Sequence, residues 1–156
     1  MTIANAHDLL WQSDAAGELD LGDLVERLCV QLQQQMPALA IQTRTDRFVV
    51  DADRAIAAGL LVTELVTNAS KHAYGGGVGN VMVSCTQVDG WFKISVADQG
   101  KGLPADFVIE RAGTASLGMR MIRALAVQLG GHIEFKSTTG TEFFVSAEAN
   151  TTNTKK

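Results

Sequence analysis

Apolar residues fall three or four positions apart in some stretches of this chain and on alternate positions in others, so two periods divide it into helices and strands. From Thr2 to about Ser13, Ile3, Ala6, Leu9 and Leu10 mark one apolar stripe, which predicts a short helix that needs a partner. Ahead of Pro37, Leu21, Leu24, Val25, Leu28 and Leu32 share one face. A second amphipathic helix should lie there on a core, with Asp20 or Asp23 as its cap and Pro37 as its stop. Two short extended runs follow, "ALAIQTRT" and "RFVV". The longest helix comes next, "DADRAIAAGLLVTELVTNASKHAY", and Asp51 or Asp53 can cap it.

The glycine cluster "GGGVGN" ends that helix and opens a strand pair, "VMVSCTQV" and "WFKISVAD", joined by an Asp89-Gly90 hairpin turn. Residues 99–116, "QGKGLPADFVIERAGTAS", hold glycines, a proline and small polar groups with weak periodicity, although "ADFVIE" can form one helical turn. A loop of that length inside a compact domain is usually functional or mobile. A clean helix follows in "LGMRMIRALAVQLGG", stopped by Gly130 and Gly131. "HIEFKST" and "TEFFVSAEA" then form a second hairpin around Thr139-Gly140. The strands arrive in adjacent pairs, which predicts an α+β fold. Its form is a two-layer sandwich with a mixed, mostly antiparallel sheet, helices on one face and a short N-terminal helix in front.

Composition narrows the function classes. At 156 residues and 46% hydrophobic, the chain has enough material for one core. A net charge of -4 and no long basic run argue against a general grip on nucleic acid or anionic lipid. No apolar stretch approaches the ~20 residues that cross a bilayer, and the first residues lack the features of a secretory signal, so a cytoplasmic location is expected. Cys29 and Cys85 read as small buried hydrophobes, and with His7, His72 and His132 scattered, no zinc site is expected.

Three places carry candidate chemistry. On an ideal wheel, Glu64, Asn68, Lys71 and His72 fall within about a quarter turn, with Val62, Val66, Ala69 and Ala73 opposite. An ordinary solvated face would look the same. Strand alternation sends Asp98 the way Phe92, Ile94 and Val96 point, so its carboxylate needs donors, or it simply caps the turn in "DQGKGLP". Gly100 and Gly102 would let backbone approach a flat ligand closely. The helix start at Leu117-Gly118 can hold an anion, which would explain Arg120 and Arg123 in its first turns; capping by Ser116 is the simpler account. No G-x-x-x-x-G-K-[ST] occurs, so a P-loop is excluded.

Taken together and in order, "ELVTNASKH", "DQGKG", "SLGMRMIRALAVQLGG" and "GTEFF" resemble the N box, G1 box, G2 region and final glycine-threonine of the Bergerat ATP-binding fold. Gyrase, MutL, the ninety-kilodalton chaperones and histidine kinases share that fold. The resemblance spans about residues 2–148 and is greatest to sensor histidine kinases of the branch related to the HWE kinases. It implies ATP and Mg2+ as cofactors. Asn68 would bind Mg2+, Glu64 would orient or deprotonate the nucleophile as the catalytic residue, and Lys71 and His72 would contact phosphates. Asp98 would accept a hydrogen bond from the adenine amino group, with Gly100 and Gly102 giving access and Thr141 supporting it. Gly118 would meet the phosphates beneath a mobile lid at 105–116, with Leu117 and Met119 beside it in the ATP-binding set.

The chain departs from that family in two ways. No phosphoacceptor box with a histidine beside basic and asparagine residues is present, and His7 matches a histidine late in the second dimerisation helix instead. Trp91 is not followed by the Trp-x-Glu of HWE kinases proper. The resemblance therefore implies the remnant of a dimerisation helix at 1–16, a catalytic domain at 17–149 and a frayed polar tail at 150–156. Its partners would be a histidine phosphoacceptor and dimerisation domain and a response regulator, with no nucleic acid and no membrane insertion. A stand-alone anti-sigma-factor serine kinase is the alternative, separable by the acid stability of its product; a scaffold that no longer binds nucleotide is a third.

Overall fold

In the computed structural model, residues 17–111 and 116–149 are described. In chain order they form β1 (Glu18–Asp20), α1 (Leu21–Gln35), β2 (Leu39–Thr45), β3 (Val49–Asp51), α2 (Ala52–Asn68), a π-helical turn (Ala69–Ala73), β4 (Gly79–Val88), β5 (Trp91–Asp98), α3 (Leu117–Gln128), β6 (Ile133–Ser137) and β7 (Thr141–Glu148). The helix predicted at 2–13 and the tail at 150–156 lie outside the described residues.

Two aspartates start the helical layer. Asp20 accepts from the Asp23 N–H at 3.0 Å to cap α1, and Asp51 accepts from the Arg54 N–H at 2.8 Å to cap α2. β1 and β3, the strands that lead into those helices, pair antiparallel with Glu18 opposite Asp51 and Asp20 opposite Val49, so the two helices leave from opposite ends of this short ribbon. The expected pairing of "ALAIQTRT" with "RFVV" is therefore corrected: the second run pairs with β1. β2 instead joins β4, parallel, and parallel neighbours need a crossover, here supplied by α2.

The main sheet has the order β2-β4-β5-β7-β6, and every pair other than β2 with β4 is antiparallel. Val81, Val83, Phe92, Ile94, Val145 and Ala147 are buried on its inner face. Against them pack Leu24, Leu28 and Leu32 of α1, Leu61, Val62 and Val66 of α2, and Ile122 and Ala126 of α3. On the other face Lys93 pairs with Glu142 at 3.7 Å and lies over the Phe144 ring. The mixed, mostly antiparallel sheet with helices on one face is thus as expected. Asp89 at φ 52° and Gly90 at φ 80° form the tight turn between β4 and β5.

Candidate functional site

Asp98 is the last residue of β5, half-buried, and both donors it needs come from backbone. Its Oδ1 accepts from the Gly100 N–H at 2.9 Å and from the Thr141 N–H at 3.2 Å. The first bond closes the turn after β5, and the second ties it to the start of β7. A Cβ at position 140 would lie 2.2 Å from the Asp98 carbonyl oxygen, so only glycine lets β7 begin there. Gly100 presses on the end of the long helix, where a Cβ would come 2.7 Å from the Ala73 Cβ. Gly102 faces elsewhere: its neighbours are the Ser137 hydroxyl and the Thr138 carbonyl, and the next N–H, of Leu103, donates to Ser137 Oγ at 2.8 Å.

Glu64 and Asn68 lie one turn apart on α2, half-buried, with Leu61, Val62, Leu65 and Val66 turned to the core. Gly118 stands opposite them. A Cβ built on it would sit 3.8 Å from Glu64 Oε2 and 3.9 Å from Asn68 Oδ1, so the glycine keeps open the space between these oxygens and the start of α3. Beyond Asn68 the helix widens into the π turn, closed by a bond from the Tyr74 N–H to the Ala69 carbonyl at 3.2 Å. The ideal wheel thus fails after Asn68. Lys71 and His72 follow the widened turn and are exposed, off the α-helical register that Glu64 and Asn68 share.

Ser116 caps α3 by accepting from the Met119 N–H at 3.1 Å, while the Met119 side chain enters the core and Leu117 is 71% exposed. In the preceding loop the helical turn starts later than expected. The Phe107 N–H bonds the Pro104 carbonyl, and helical geometry begins only at Ile109. Phe107 packs edge-on against Phe135 at 5.1 Å between ring centroids and so docks the loop on β6. Residues 112–115 of the expected lid lie outside the described residues. A separate cleft of about 330 Å³ is lined by Glu110 of the expected lid, by Arg123 and by His132 among others, and by none of the expected ATP-binding set.

The geometry therefore forms two clusters, Asp98 with Gly100 and Thr141, and Glu64 with Asn68 and Gly118, linked through Ala73. One contributor escaped the sequence reading. The Tyr74 hydroxyl bonds both Asn80 and Gln99, next to Asp98, and its partners are backbone atoms that no side-chain pattern reveals.

Residues 53–151 match the family model described as histidine kinase-, DNA gyrase B- and HSP90-like ATPase. The sensor histidine kinase PdtaS of Mycolicibacterium smegmatis is 32% identical over 130 residues, 80% of this chain and 25% of that protein. The chain spans about a quarter of the length of the curated relatives it matches. Among solved structures, the histidine kinase domain of the Erythrobacter litoralis EL346 blue-light activated histidine kinase superposes with a TM-score of 0.82 at 26% identity, covering 95% of this chain and 73% of that one. The longer EL346 structure gives 0.84 at 27% identity over 97% of this chain and 49% of that one.

Proposed function

Because the chain belongs to the family of histidine kinase-, DNA gyrase B- and HSP90-like ATPases, we propose that residues 17–149 are the ATP-binding catalytic domain of a sensor histidine kinase. In this reading it moves the γ-phosphoryl group of ATP to a histidine on a dimerisation domain, from which a response regulator is served. No helix among the described residues is long and apolar enough to cross a membrane, in keeping with a cytoplasmic catalytic domain.

The observation that carries the reading is the Asp98 carboxylate, whose Oδ1 is held by two backbone N–H groups. An ionised carboxylate only accepts, so its other oxygen selects a base edge that donates. Adenine offers an amino group there. Guanine in the same orientation would present its 6-carbonyl oxygen, which the carboxylate repels.

Glu64 and Asn68 present oxygen atoms to the start of α3, the ligand type that hard divalent cations take. Asn68, with phosphate oxygens and water, would hold Mg2+, and bound Mg2+ supplies charge neutralisation at the phosphates. Glu64 is the base that takes the imidazole proton as the Nε–P bond forms and ADP departs. Lys71 and His72 reach phosphate oxygens from the π turn, Gly118 leaves them room, and Leu117 and Met119 frame the helix start.

Calorimetric titration with Mg-ATP tests the site: wild type binds, and Asp98→Asn binds roughly a hundredfold more weakly because its amide can present a donor to a donor. Unchanged affinity in Asp98→Asn would overturn the assignment. Glu64→Gln keeps nucleotide affinity and slows transfer to a separately prepared dimerisation domain by roughly 10²–10⁴-fold. The product is acid-labile, as phosphohistidine is. The serine-kinase alternative, which needs an acid-stable product, is not favoured, since the relatives are sensor histidine kinases.

A further inference from the structure

β4 and β5 pair without interruption from Val88 opposite Trp91 to Val81 opposite Asp98. The next step of that ladder would set Asn80 against Gln99. There the two strands do not meet; the Tyr74 hydroxyl stands between them. It donates to the Asn80 carbonyl at 2.7 Å and accepts from the Gln99 N–H at 2.7 Å, so one oxygen replaces the direct backbone bond. The ring reaches this position by lying on Gly79, where any Cβ would come within 2.3 Å of it.

The insertion, one residue after Asp98, ends the ladder at the Val81–Asp98 pair. With Gln99 held off its partner, the chain turns at once, and Gly100 donates back to Asp98 Oδ1 while lying against Ala73, the residue before Tyr74. Asp98 is thereby aimed by the helix end that also carries Lys71 and His72. We propose that Tyr74 is a positioning residue for base recognition: its hydroxyl wedges β4 from β5 and sets the Asp98 carboxylate to read the amino group of adenine. The inference rests on the assignment of Asp98 to the base. It adds a residue that touches no nucleotide itself.

Tyr74→Phe keeps the ring on Gly79 and removes the wedge, so Gln99 and Asn80 can bond directly and the turn shifts. Titrations with Mg-ATP and Mg-GTP should show ATP affinity reduced about tenfold, GTP affinity unchanged, and discrimination reduced to match. In an Asp98→Asn background the same change should cost nothing further, since Tyr74 acts through Asp98. A merely structural role would weaken both nucleotides equally or add to Asp98→Asn, and either result overturns the proposal.

A second measurement does not depend on the variant folding. Tyr74 is the one tyrosine of the chain, so 3-fluorotyrosine labels this site alone. Its ¹⁹F resonance should move when Mg-ATP saturates the protein and stay in place with Mg-tripolyphosphate. A resonance indifferent to ATP, in protein shown by calorimetry to bind it, overturns the wedge while leaving the ATP site intact. Failure of the wild type to bind ATP at all would instead remove the functional reading, and this inference with it.

Discussion

Arg54 enters α2 in its first turn, where an acid is the usual choice, and its guanidinium reaches carbonyls that helix and strand ladders leave unpaired. It donates to Leu129 O at the end of α3 at 2.7 Å, to Ala149 O at 3.0 Å and to Glu148 O at the end of β7, and stacks over Phe92 at 4.9 Å. Burial lowers its pKa and the nearby Asp51 offsets part of that effect. Removing it strands three carbonyls in the interior. Arg54→Ala should destabilise the fold by about 3–5 kcal/mol, read as a lower urea midpoint at an unchanged slope. Arg54→Lys should recover only part, because an ammonium cannot span the three acceptors. A midpoint shift under about 1 kcal/mol for the alanine variant would show that water replaces the guanidinium. Nothing local in the sequence marks Arg54, since its partners lie 75 and 95 positions away.

Elements are legible where a period or a turn dipeptide specifies them. The apolar spacing of α2 marks its buried face through Val66, and Asp89-Gly90 marks its hairpin, because both signals are local. The partners of β2 and β3 are not local. Each run is short and extended, and only the packing of α1 and α2 decides which neighbour each meets. The π turn is less visible still, because widening one turn by a residue leaves composition and hydropathy unchanged. That widening sets where Lys71, His72 and Tyr74 stand relative to Glu64 and Asn68. Deleting Ser70 should restore an α-helical register and rotate those side chains by ~100°. Helical circular dichroism should persist while Mg-ATP binding is lost; a deletion variant that binds like wild type would mean that the turn has no part in the site.

Across the whole molecule, the two clusters of the proposed site are built by residues far apart in sequence that the sheet order brings together. Asp98 on the central strand meets Thr141 of the strand beside it, and α3 returns Gly118 to the flank of α2. The motifs that name these residues are legible in the chain, but the atoms that hold them are mostly backbone, so the supporting geometry appears only in the fold. The same compact layering governs the thiols. Cys29 of α1 and Cys85 of β4 are both buried in the common core. Burial pushes each thiol up to about 12, with Glu26 adding to the effect at Cys29, and Asp20 and Asp46 adding to it at Cys85. An unfolded thiol ionises near pH ~8.5. The folded state therefore holds these protons more tightly, and stability is unaffected by the thiols below that pH. Between about pH 9 and 12 each thiol should draw stability down by about 1.4 kcal/mol per pH unit, because only the unfolded chain gains the charge. Urea unfolding at stepped pH should show a decline above pH 9 that is shallower in a Cys29→Ala, Cys85→Ala variant; equal slopes would contradict the burial of the thiols. At pH 8 neither native cysteine should react with a thiol reagent faster than the protein unfolds.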